Sequence, residues 1–460
     1  MDSTLHSSTL AATTDQAPQP VSRAERTQTI DIIRGFALLG ILMMNIPGFG
    51  QPWTRWALIF GAPGSTDYYT AMAVETAFSG TMRTLFSMLF GAGMLLFLAK
   101  KEDLASGQSV VDYYYRRLLW LVLFGVINGY VLLWTGDILY FYGLCGLLLY
   151  PFRKMKATHL VIATVICVVL PFARGIQSNL EFRAKRTAYL EAVKVEQQQK
   201  KLTDEQKKAK EAWLEQIKWT KHDPKKEAEI IKGMQSGYGA VFAKLMPRNV
   251  NIESRGMYYD FWDMLGMMFL GMALFKIGFF SNKLSASLYW MTLSLGYSIG
   301  LLLGNIQFMD QAAMFHDPGA YVDTHFFSVF ALYDLRRGAT AIGHASLLLL
   351  VYRSGVVPWL MKALANVGQM AFTNYLMQSI ICTLFFNGYG LGYYGKLAFH
   401  QLYYVVAVVW VFQIIFSVIW LQFFRFGPFE WLWRSLTYWK LQPMRLRTEP
   451  VAAEPQVTLS

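Results

Sequence analysis

The sequence predicts an all-α fold: a polytopic transmembrane helix bundle of about ten spans with one charged helical insert outside the cytoplasm. Hydrophobic residues make up 54% of the 460-residue chain and charged residues only 16%, whereas a typical soluble domain carries about 25% charged residues. Apolar stretches of about 20 residues, the length that crosses a bilayer, recur along the chain. These observations predict an integral membrane protein whose first partner is the lipid bilayer.

The predicted spans form two groups on either side of a polar segment. Spans one to five fall within 28–175 and spans six to ten within 257–424. We expect residues 1–27 to be a disordered cytoplasmic tail, and 425–460 to be a cytoplasmic interfacial helix followed by a tail. The individual spans are predicted at 29–48, 80–99, 116–135, 137–153, 157–175, 258–280, 284–306, 334–353, 364–386 and 402–424.

Lysine and arginine residues are concentrated in alternate connections between the spans. They flank the first span, follow spans two, four, six and eight, and recur after span ten. Because such residues accumulate in cytoplasmic loops, both termini are predicted to lie in the cytoplasm of a multi-pass bacterial inner-membrane protein. The same bias, with anionic lipids as counter-charge, explains the net charge of +12 without a nucleic-acid partner.

The segment 176–256 interrupts the apolar pattern with a charged, helix-forming sequence. Long loops cross a membrane regardless of their charge, so we expect this insert outside the cytoplasm. Two interpretations are open. The insert is either a solvated helical hairpin that bends near Pro224, or a basic lid over a bound substrate.

The predicted ninth span carries a polar face. Asn374 and Gln378 are four residues apart, and Tyr375, Ser379 and Thr383 form a second stripe beside them. Lipid cannot satisfy these groups, so the face must meet another helix or a polar cavity. It either makes interhelical hydrogen bonds, worth about 0.6 kcal/mol each, or lines a substrate cavity.

Several segments resemble one family of bacterial membrane proteins. The run GQMAFTNYLMQSIICTLFFNGYGLGYYG, followed by FRFGPFEWLWRSLTYWK, is similar to the closing region of the YeiB-like inner-membrane proteins. The opening IDIIRGFALLGILMMNIPGF and the middle segments FSMLFGAGM, GDILYFYGLCGLLL and MMFLGMALFKIGF also resemble that family. The resemblance extends from about Gln28 to Lys440, apart from most of the insert. It implies a polytopic membrane protein, and the family has been called a transport protein family.

The Asp-x-x-Arg-Gly opening at Asp31 is similar to that of multi-span acyltransferases of the heparan glucosaminide acetyltransferase type, which acylate sugars. This resemblance implies transfer of an acyl group from a cytoplasmic donor, with acyl-CoA as co-substrate, to an extracytoplasmic or lipid-linked acceptor. Two departures count against it. Pro47–Gly80 contains no histidine, although these acyltransferases have one in the loop after the first span, and Asn128 stands where the YeiB-like resemblance leads us to expect a histidine.

Arginine residues near the predicted cytoplasmic face are candidates for binding the anionic part of a donor, because a guanidinium binds phosphate through two parallel hydrogen bonds. Asp31 and Arg34 also have the spacing of a self-neutralising pair. Glu430 and Arg434, on the C-terminal interfacial helix, would complete the cluster. The predicted substrate or donor site comprises Asp31, Arg34, Asn45, Arg116, Arg117, Asn374, Tyr375, Gln378, Glu430 and Arg434.

Two residues are candidates for moving a proton. His344 lies well inside a predicted span and is either a hydrogen-bonded structural residue or a general base. Asp137 lies at the predicted outer edge, where it either caps a helix or accepts a proton from a substrate hydroxyl.

Sequence motifs exclude several classes of function. The chain contains no Walker A loop, no GxSxG elbow and no cysteine pair with metal-ligand spacing. We therefore expect no metal site and no tightly bound cofactor. A proton-coupled secondary transporter or export factor for a small metabolite is the alternative to the acyltransferase, with Asp31, Asp137 or His344 carrying protons. A structural or assembly role is the third hypothesis.

Overall fold

The computed structural model describes residues 28–102 and 107–446. In this part of the chain the fold is all-helical, as predicted, and the only strand-like pairing is an isolated bridge between Phe424 and Arg445. The predicted tail at 1–27 and the last residues of the C-terminal tail lie outside the described residues.

Eighteen α-helices are present in the described residues. They are α1 (Gln28–Gly50), α2 (Trp56–Phe60), α3 (Thr66–Ala77), α4 (Thr81–Glu102), α5 (Gly107–Tyr130), α6 (Leu139–Leu149), α7 (Ala157–Gln197), α8 (Asp204–Ile217), α9 (Pro224–Met234), α10 (Tyr238–Asn251), α11 (Met257–Lys276), α12 (Ala286–His316), α13 (Pro318–Thr324), α14 (Tyr333–Ser354), α15 (Pro358–Gln369), α16 (Ala371–Phe386), α17 (Phe399–Phe423) and α18 (Pro428–Tyr438).

Within the described residues, five stretches are long and apolar enough to cross a membrane. They are Gln28–Gly50, Thr66–Ala99, Ala157–Gln197, Ala286–His316 and Phe399–Phe423. Helix α16 is apolar but shorter. Helices α5, α11 and α14 occupy the positions of three further predicted spans. The number of ten spans stays a prediction.

Close backbone approach holds several of these helices together. A Cβ atom on Gly368 of α15 would lie within 2 Å of the Asp31 carbonyl oxygen of α1, and a Cβ on Gly35 would meet the Leu364 carbonyl in the same way. Glycine at both positions therefore permits the α1–α15 crossing. Small residues serve the same purpose at many membrane helix interfaces.

The predicted ninth span is not one continuous helix. It is divided at Met370 into α15 and α16. In an unbroken helix, the N–H groups of Phe372 and Thr373 would donate to carbonyls four residues earlier. Here both donate instead to the Glu430 carboxylate of α18, at 2.7 and 3.0 Å. The Glu430 carboxylate therefore replaces the carbonyl acceptors that a continuous helix would provide.

Helix α7 continues without interruption through the predicted boundary between span five and the insert. Its second half packs with α8 and α13 around a small apolar cluster separate from the main core, formed by Trp213, Ile217, Tyr321 and Val322. Arg186 of α7 pairs with Asp323 of α13 at 2.7 Å. That hydrogen-bonded pair holds the pKa of Asp323 below its usual value.

Helix α9 contacts the glycine-rich loop that follows α16. The Gly388 N–H donates to the Met234 carbonyl at 2.9 Å, and Arg55 pairs with Glu227 at 2.9 Å. Burial alone would raise the pKa of Glu227, but hydrogen bonds from Arg55 and His222 outweigh it and lower that pKa. The end of the insert is thus tied to the helix bundle.

Candidate functional site

A cavity of about 240 Å³ lies between α1, α4, α5, α6, α16 and α18. We call it the central cavity; it has a charged end and an otherwise mainly apolar wall. The charged end is formed by Asp31, Arg34, Arg117, Glu430 and Arg434. The apolar wall includes Phe86, Leu89, Phe90, Met94, Phe97, Leu118, Leu121, Leu139, Phe372 and Trp433. Tyr142 and Tyr375 also line it. Six of the ten residues predicted to bind substrate or donor therefore lie around one space.

The arginines of the charged end are held by neighbouring side chains. Arg34 donates to Asp31 at 2.7 Å across one turn of α1, the pairing anticipated from their spacing. The Arg117 guanidinium lies 3.7 Å from the centre of the Trp433 ring, and that of Arg434 lies 4.5 Å from the Phe426 ring. Stacking uses the face of a guanidinium, so its in-plane N–H groups remain the part that binds an anion.

Glu430 lines the cavity, but its carboxylate is already engaged. One oxygen accepts the N–H groups of Phe372 and Thr373, and the other accepts the Thr373 hydroxyl. A carboxylate at this position is favourable because the N-terminus of a helix presents unpaired donors and a partial positive charge. Glu430 therefore caps α16, and its predicted role in binding stays a prediction.

Asp137 lies behind one wall of the cavity. Its carboxylate accepts from Asn128 Nδ2 at 2.7 Å, from the Tyr140 N–H at 2.9 Å and from the Tyr375 hydroxyl at 3.3 Å. The bond from Tyr140 is the helix-capping interaction considered from sequence, here at the start of α6. The Tyr375 hydroxyl connects this buried acid to the cavity wall.

The polar face of α16 makes interhelical hydrogen bonds. Asn374 donates to Ser417 of α17 at 2.9 Å, and Gln378 donates to Gln413 of α17 at 3.1 Å. Gln413 in turn donates to the Asn374 carbonyl at 2.7 Å. Neither Asn374 nor Gln378 lines the central cavity, whereas Tyr375 does. Asn374 and Gln378 thus make interhelical hydrogen bonds, which was one interpretation of this face, whereas Tyr375 lines a cavity, as in the other interpretation.

Besides Asn374 and Gln378, three further predicted residues, Asn45, Arg116 and His344, do not line the cavity. His344 contacts the Tyr297 hydroxyl at 2.8 Å and the Ala77 carbonyl at 3.0 Å. Arg116 donates to the Thr437 carbonyl at 3.2 Å, so it helps to position α18. Asn45 is half-buried on α1, about 16 Å along the helix from Arg34. None of these three residues lines the central cavity.

A buried network of two arginines and two aspartates connects α4, α11 and α14. Arg83 of α4 pairs with Asp263 of α11 at 2.6 Å. Arg337 of α14 contacts Asp263, pairs with Asp334 at 2.9 Å, and donates to Thr84 at 3.0 Å. The network balances its own charge, which lets it remain buried.

The apolar wall was not predicted as part of the site. Lining and lipid-facing positions of a membrane helix are both apolar, so composition does not separate them. Trp433 and Tyr142 are exceptions. Each carries a polar group on its aromatic ring, and this group needs a hydrogen-bond partner, so residue type distinguishes them from purely apolar lipid-facing residues. In the described residues, no group of three His, Cys, Asp or Glu side chains forms a metal site.

Comparisons with known proteins agree with the resemblance seen in the sequence. The family model "Protein of unknown function (DUF418)" matches residues 274–440. The chain is 29% identical to Uncharacterized protein YxaH of Bacillus subtilis over 94% of this chain and 99% of that protein. It is 26% identical to an uncharacterized 39.9 kDa protein of Bacillus acidopullulyticus, over 94% of this chain and 99% of that one. No solved structure matches it.

The match to Uncharacterized protein YeiB of Escherichia coli has 32% identity and covers 90% of this chain and 96% of that protein. The shared region therefore covers most of both proteins. At this identity and coverage, the chain belongs to the YeiB-like family.

Proposed function

We propose that this protein is a membrane acyltransferase whose central cavity binds an acyl donor carried on an anionic group, with acyl-CoA as the co-substrate. The observation that carries the proposal is the composition of the cavity wall: three arginines at one end and apolar side chains along most of the remainder. Such a wall suits a molecule that is anionic at one end and apolar at the other.

The charged end would hold the phosphates of the donor. Arg34, Arg117 and Arg434 come from α1, α5 and α18, so they converge from three directions on the same end of the cavity. Phosphate oxygens of the donor would accept hydrogen bonds from these three guanidinium groups. Bidentate binding to phosphate is what arginine does better than lysine.

The acyl group would lie along the apolar wall, toward Tyr375 and Asp137. There the acceptor oxygen or nitrogen would attack the thioester carbonyl. The new ester or amide bond would form as the carbon–sulfur bond breaks, and coenzyme A would leave as a thiolate that finally takes up the acceptor's proton. Asp137 would take the acceptor's proton, with Tyr375 and Asn128 holding the carboxylate in position. We assign this role to Asp137 rather than His344, because His344 does not line the cavity.

The proposed topology places the charged end at the cytoplasmic face. Ten spans, with both termini in the cytoplasm of a bacterial inner membrane, would put Arg34 and Arg434 where a soluble donor arrives. The same topology would put the Asp137 side toward an extracytoplasmic or lipid-linked acceptor. The positive charge of alternate connections supports this orientation.

The test is binding of acyl-CoA to the purified protein, comparing Arg117→Ala and Arg34→Ala with a matched control. Arg425→Ala is that control: it removes the same charge from an exposed residue near α18 that does not line the cavity. We expect saturable binding to the wild type and to Arg425→Ala, and at least a tenfold loss in the other two. Failure of the wild type to bind acyl-CoA of any chain length would refute the proposal.

A proton-coupled transporter or export factor for a small metabolite is the second candidate. The supporting observation is Asp137 itself, a carboxyl that is 7% exposed and hydrogen-bonded to a cavity-lining tyrosine. Buried acids of this kind carry protons in many transporters. Proton uptake in liposomes that depends on Asp137, without acyl-CoA binding, would favour this function.

A further inference from the structure

A second large space lies between α7 and α12, and we call it the α7–α12 groove. It has a volume of about 920 Å³, and the start of α14 forms part of its wall. It is remote from the charged end of the central cavity. Arg337, which pairs with the groove residue Asp334, contacts Thr84 at the start of α4, whereas the Phe97 ring of the same helix lies 5.5 Å from the Arg117 guanidinium at the charged end. Thirteen helical residues between these two positions correspond to about 20 Å.

Aromatic rings are one of the two chemical components of the groove. Phe182, Trp219, Tyr321, Phe330 and Tyr333 all line it. Trp219 is 42% exposed and Phe330 59% exposed, although both lie against a concave surface. Exposed rings in a concave site offer flat apolar faces against which a ligand ring stacks.

Side-chain amides are the second component. Gln307 uses its N–H group to bind the Val329 carbonyl at 3.0 Å, and Gln216 uses its oxygen to accept from Lys185 at 2.8 Å. Each contact occupies one half of the amide. Gln177, Gln311 and Asn179 add further amides to the lining. A wall of this kind offers donors and acceptors in similar number.

The charges of the groove are balanced, unlike those of the central cavity. Arg174 and Lys185 are offset by Glu181 and Asp310, and Asp334 is paired with Arg337. Asp310 also accepts from the Tyr321 hydroxyl at 3.0 Å. A balanced wall gives no net attraction for a phosphate or an ammonium group, so a neutral ligand fits it better than an ion.

We propose that the α7–α12 groove is a binding site for a neutral polyhydroxylated molecule of carbohydrate type. The ring face of the sugar would stack on Trp219, and its hydroxyl groups would bond to the amides and carboxylates. This inference goes beyond the proposed function, since it concerns a different space and requires no acyl transfer.

The position of the groove is compatible with two sources of such a ligand. The first half of α7 exposes Val161, Ile162 and Val165, and the groove begins at Pro171, where the polar half starts. The groove therefore lies at the depth of a membrane interface. A free sugar and the sugar head group of a lipid both reach this depth.

The experiment measures sugar binding by the full-length protein in lipid nanodiscs, prepared without glycoside detergents that would compete. The probes are N-acetylglucosamine and maltose as free sugars, and octyl glucoside below its micellar concentration as a sugar on an apolar tail. We expect saturable binding of at least one probe. A preference for octyl glucoside would identify a lipid-borne sugar, and a preference for the free sugars a soluble one.

Two variants test the location of the site. Trp219→Ala removes the exposed ring and Gln311→Leu removes an exposed amide on α12; each should weaken binding at least tenfold. Trp290→Ala is the matched control, because Trp290 is an exposed tryptophan of α12 that does not line the groove. If Trp219→Ala does not fold, Gln311→Leu still decides the result.

Three outcomes would overturn the inference: no saturable binding of any probe, equal affinity of the wild type and both groove variants, or displacement of the sugar by glycerol phosphate at lower concentration. Arg117→Ala should bind sugar normally, and Trp219→Ala should bind acyl-CoA normally. Loss of one binding activity is thereby distinguishable from loss of the other.

Discussion

Replacing Glu430 tests the account of how α16 begins and how α18 is attached. Glu430→Ala removes the acceptor of two backbone N–H groups and of the Thr373 hydroxyl. Phe372 and Thr373 are 7% and 1% exposed, so water does not easily replace the lost carboxylate. Glu430→Gln keeps an oxygen for the two N–H groups but removes the charge.

The expected cost follows from these contacts. An unsatisfied buried donor costs about 1–3 kcal/mol, and a carboxylate at a helix N-terminus contributes up to about 2 kcal/mol. With two donors left unpaired and some relaxation of α16, Glu430→Ala should lose about 3–5 kcal/mol of stability. Glu430→Gln should lose about 1–2 kcal/mol, because it removes the charge and the acceptor of the Thr373 hydroxyl but keeps the oxygen that accepts the two N–H groups.

The assay uses the three cysteines, Cys145, Cys167 and Cys382, all of which are free and buried. A thiol-reactive fluorophore added during heating therefore reports unfolding directly. We expect the apparent melting temperature to fall in the order wild type, Glu430→Gln, Glu430→Ala. Glu211→Ala, which removes an exposed acid from α8, should melt as the wild type does.

The reasoning would be refuted if Glu430→Ala melted at the wild-type temperature. It would also be refuted if hydrogen exchange at Phe372 and Thr373 were no faster in that variant. Equal destabilisation by Glu430→Gln and Glu430→Ala would assign the whole effect to charge rather than to the lost acceptor.

Three further predictions concern other contacts. Gly368→Ala should prevent the α1–α15 crossing and abolish accumulation of folded protein in membranes, since its Cβ would overlap the Asp31 carbonyl. Asp263→Ala should cost about 3–5 kcal/mol by leaving Arg337 with one carboxylate fewer, and pairing it with Arg337→Met should recover part of the loss in thermal melts. Because the pKa of Asp323 is lowered by Arg186, this pair stabilises α13 above the ordinary aspartate pKa of about 4. The contribution should vanish as pH falls through the lowered pKa, which faster exchange in α13 would reveal.

Much of the helical framework follows from the apolar pattern. The observed α4 and α17 begin and end within about three residues of the predicted spans, because long apolar runs are bounded by polar residues. The break at Met370 could not be predicted in this way. Its cause is Glu430, a residue about 60 positions away, and no local breaker such as proline marks the position.

The candidate site was only partly predictable, because contacts between residues far apart in the sequence assemble it. Arg34 and Arg117 stand out as charges at the ends of apolar stretches, so their types indicate an anion site. The complete arginine cluster also needs Arg434, which reaches the cavity because α18 packs against α5. This packing is seen where Trp433 Nε1 donates to the Arg117 carbonyl at 2.9 Å. Helix packing also decides that His344 does not line the cavity. Its position within a predicted span had made His344 a candidate beside Asp137.

Helix α7 is long and continuous, so a small bend within it would displace its far end. Its 41 residues form a rod of about 60 Å, and its only proline, Pro171, lies about a third of the way along it. Proline weakens the helix at this point and makes it the natural place to bend. A tilt of about 5° there would move the far end of α7 by about 3–4 Å. Bending of the rod would therefore open or narrow the space against α12 from a point within the bundle.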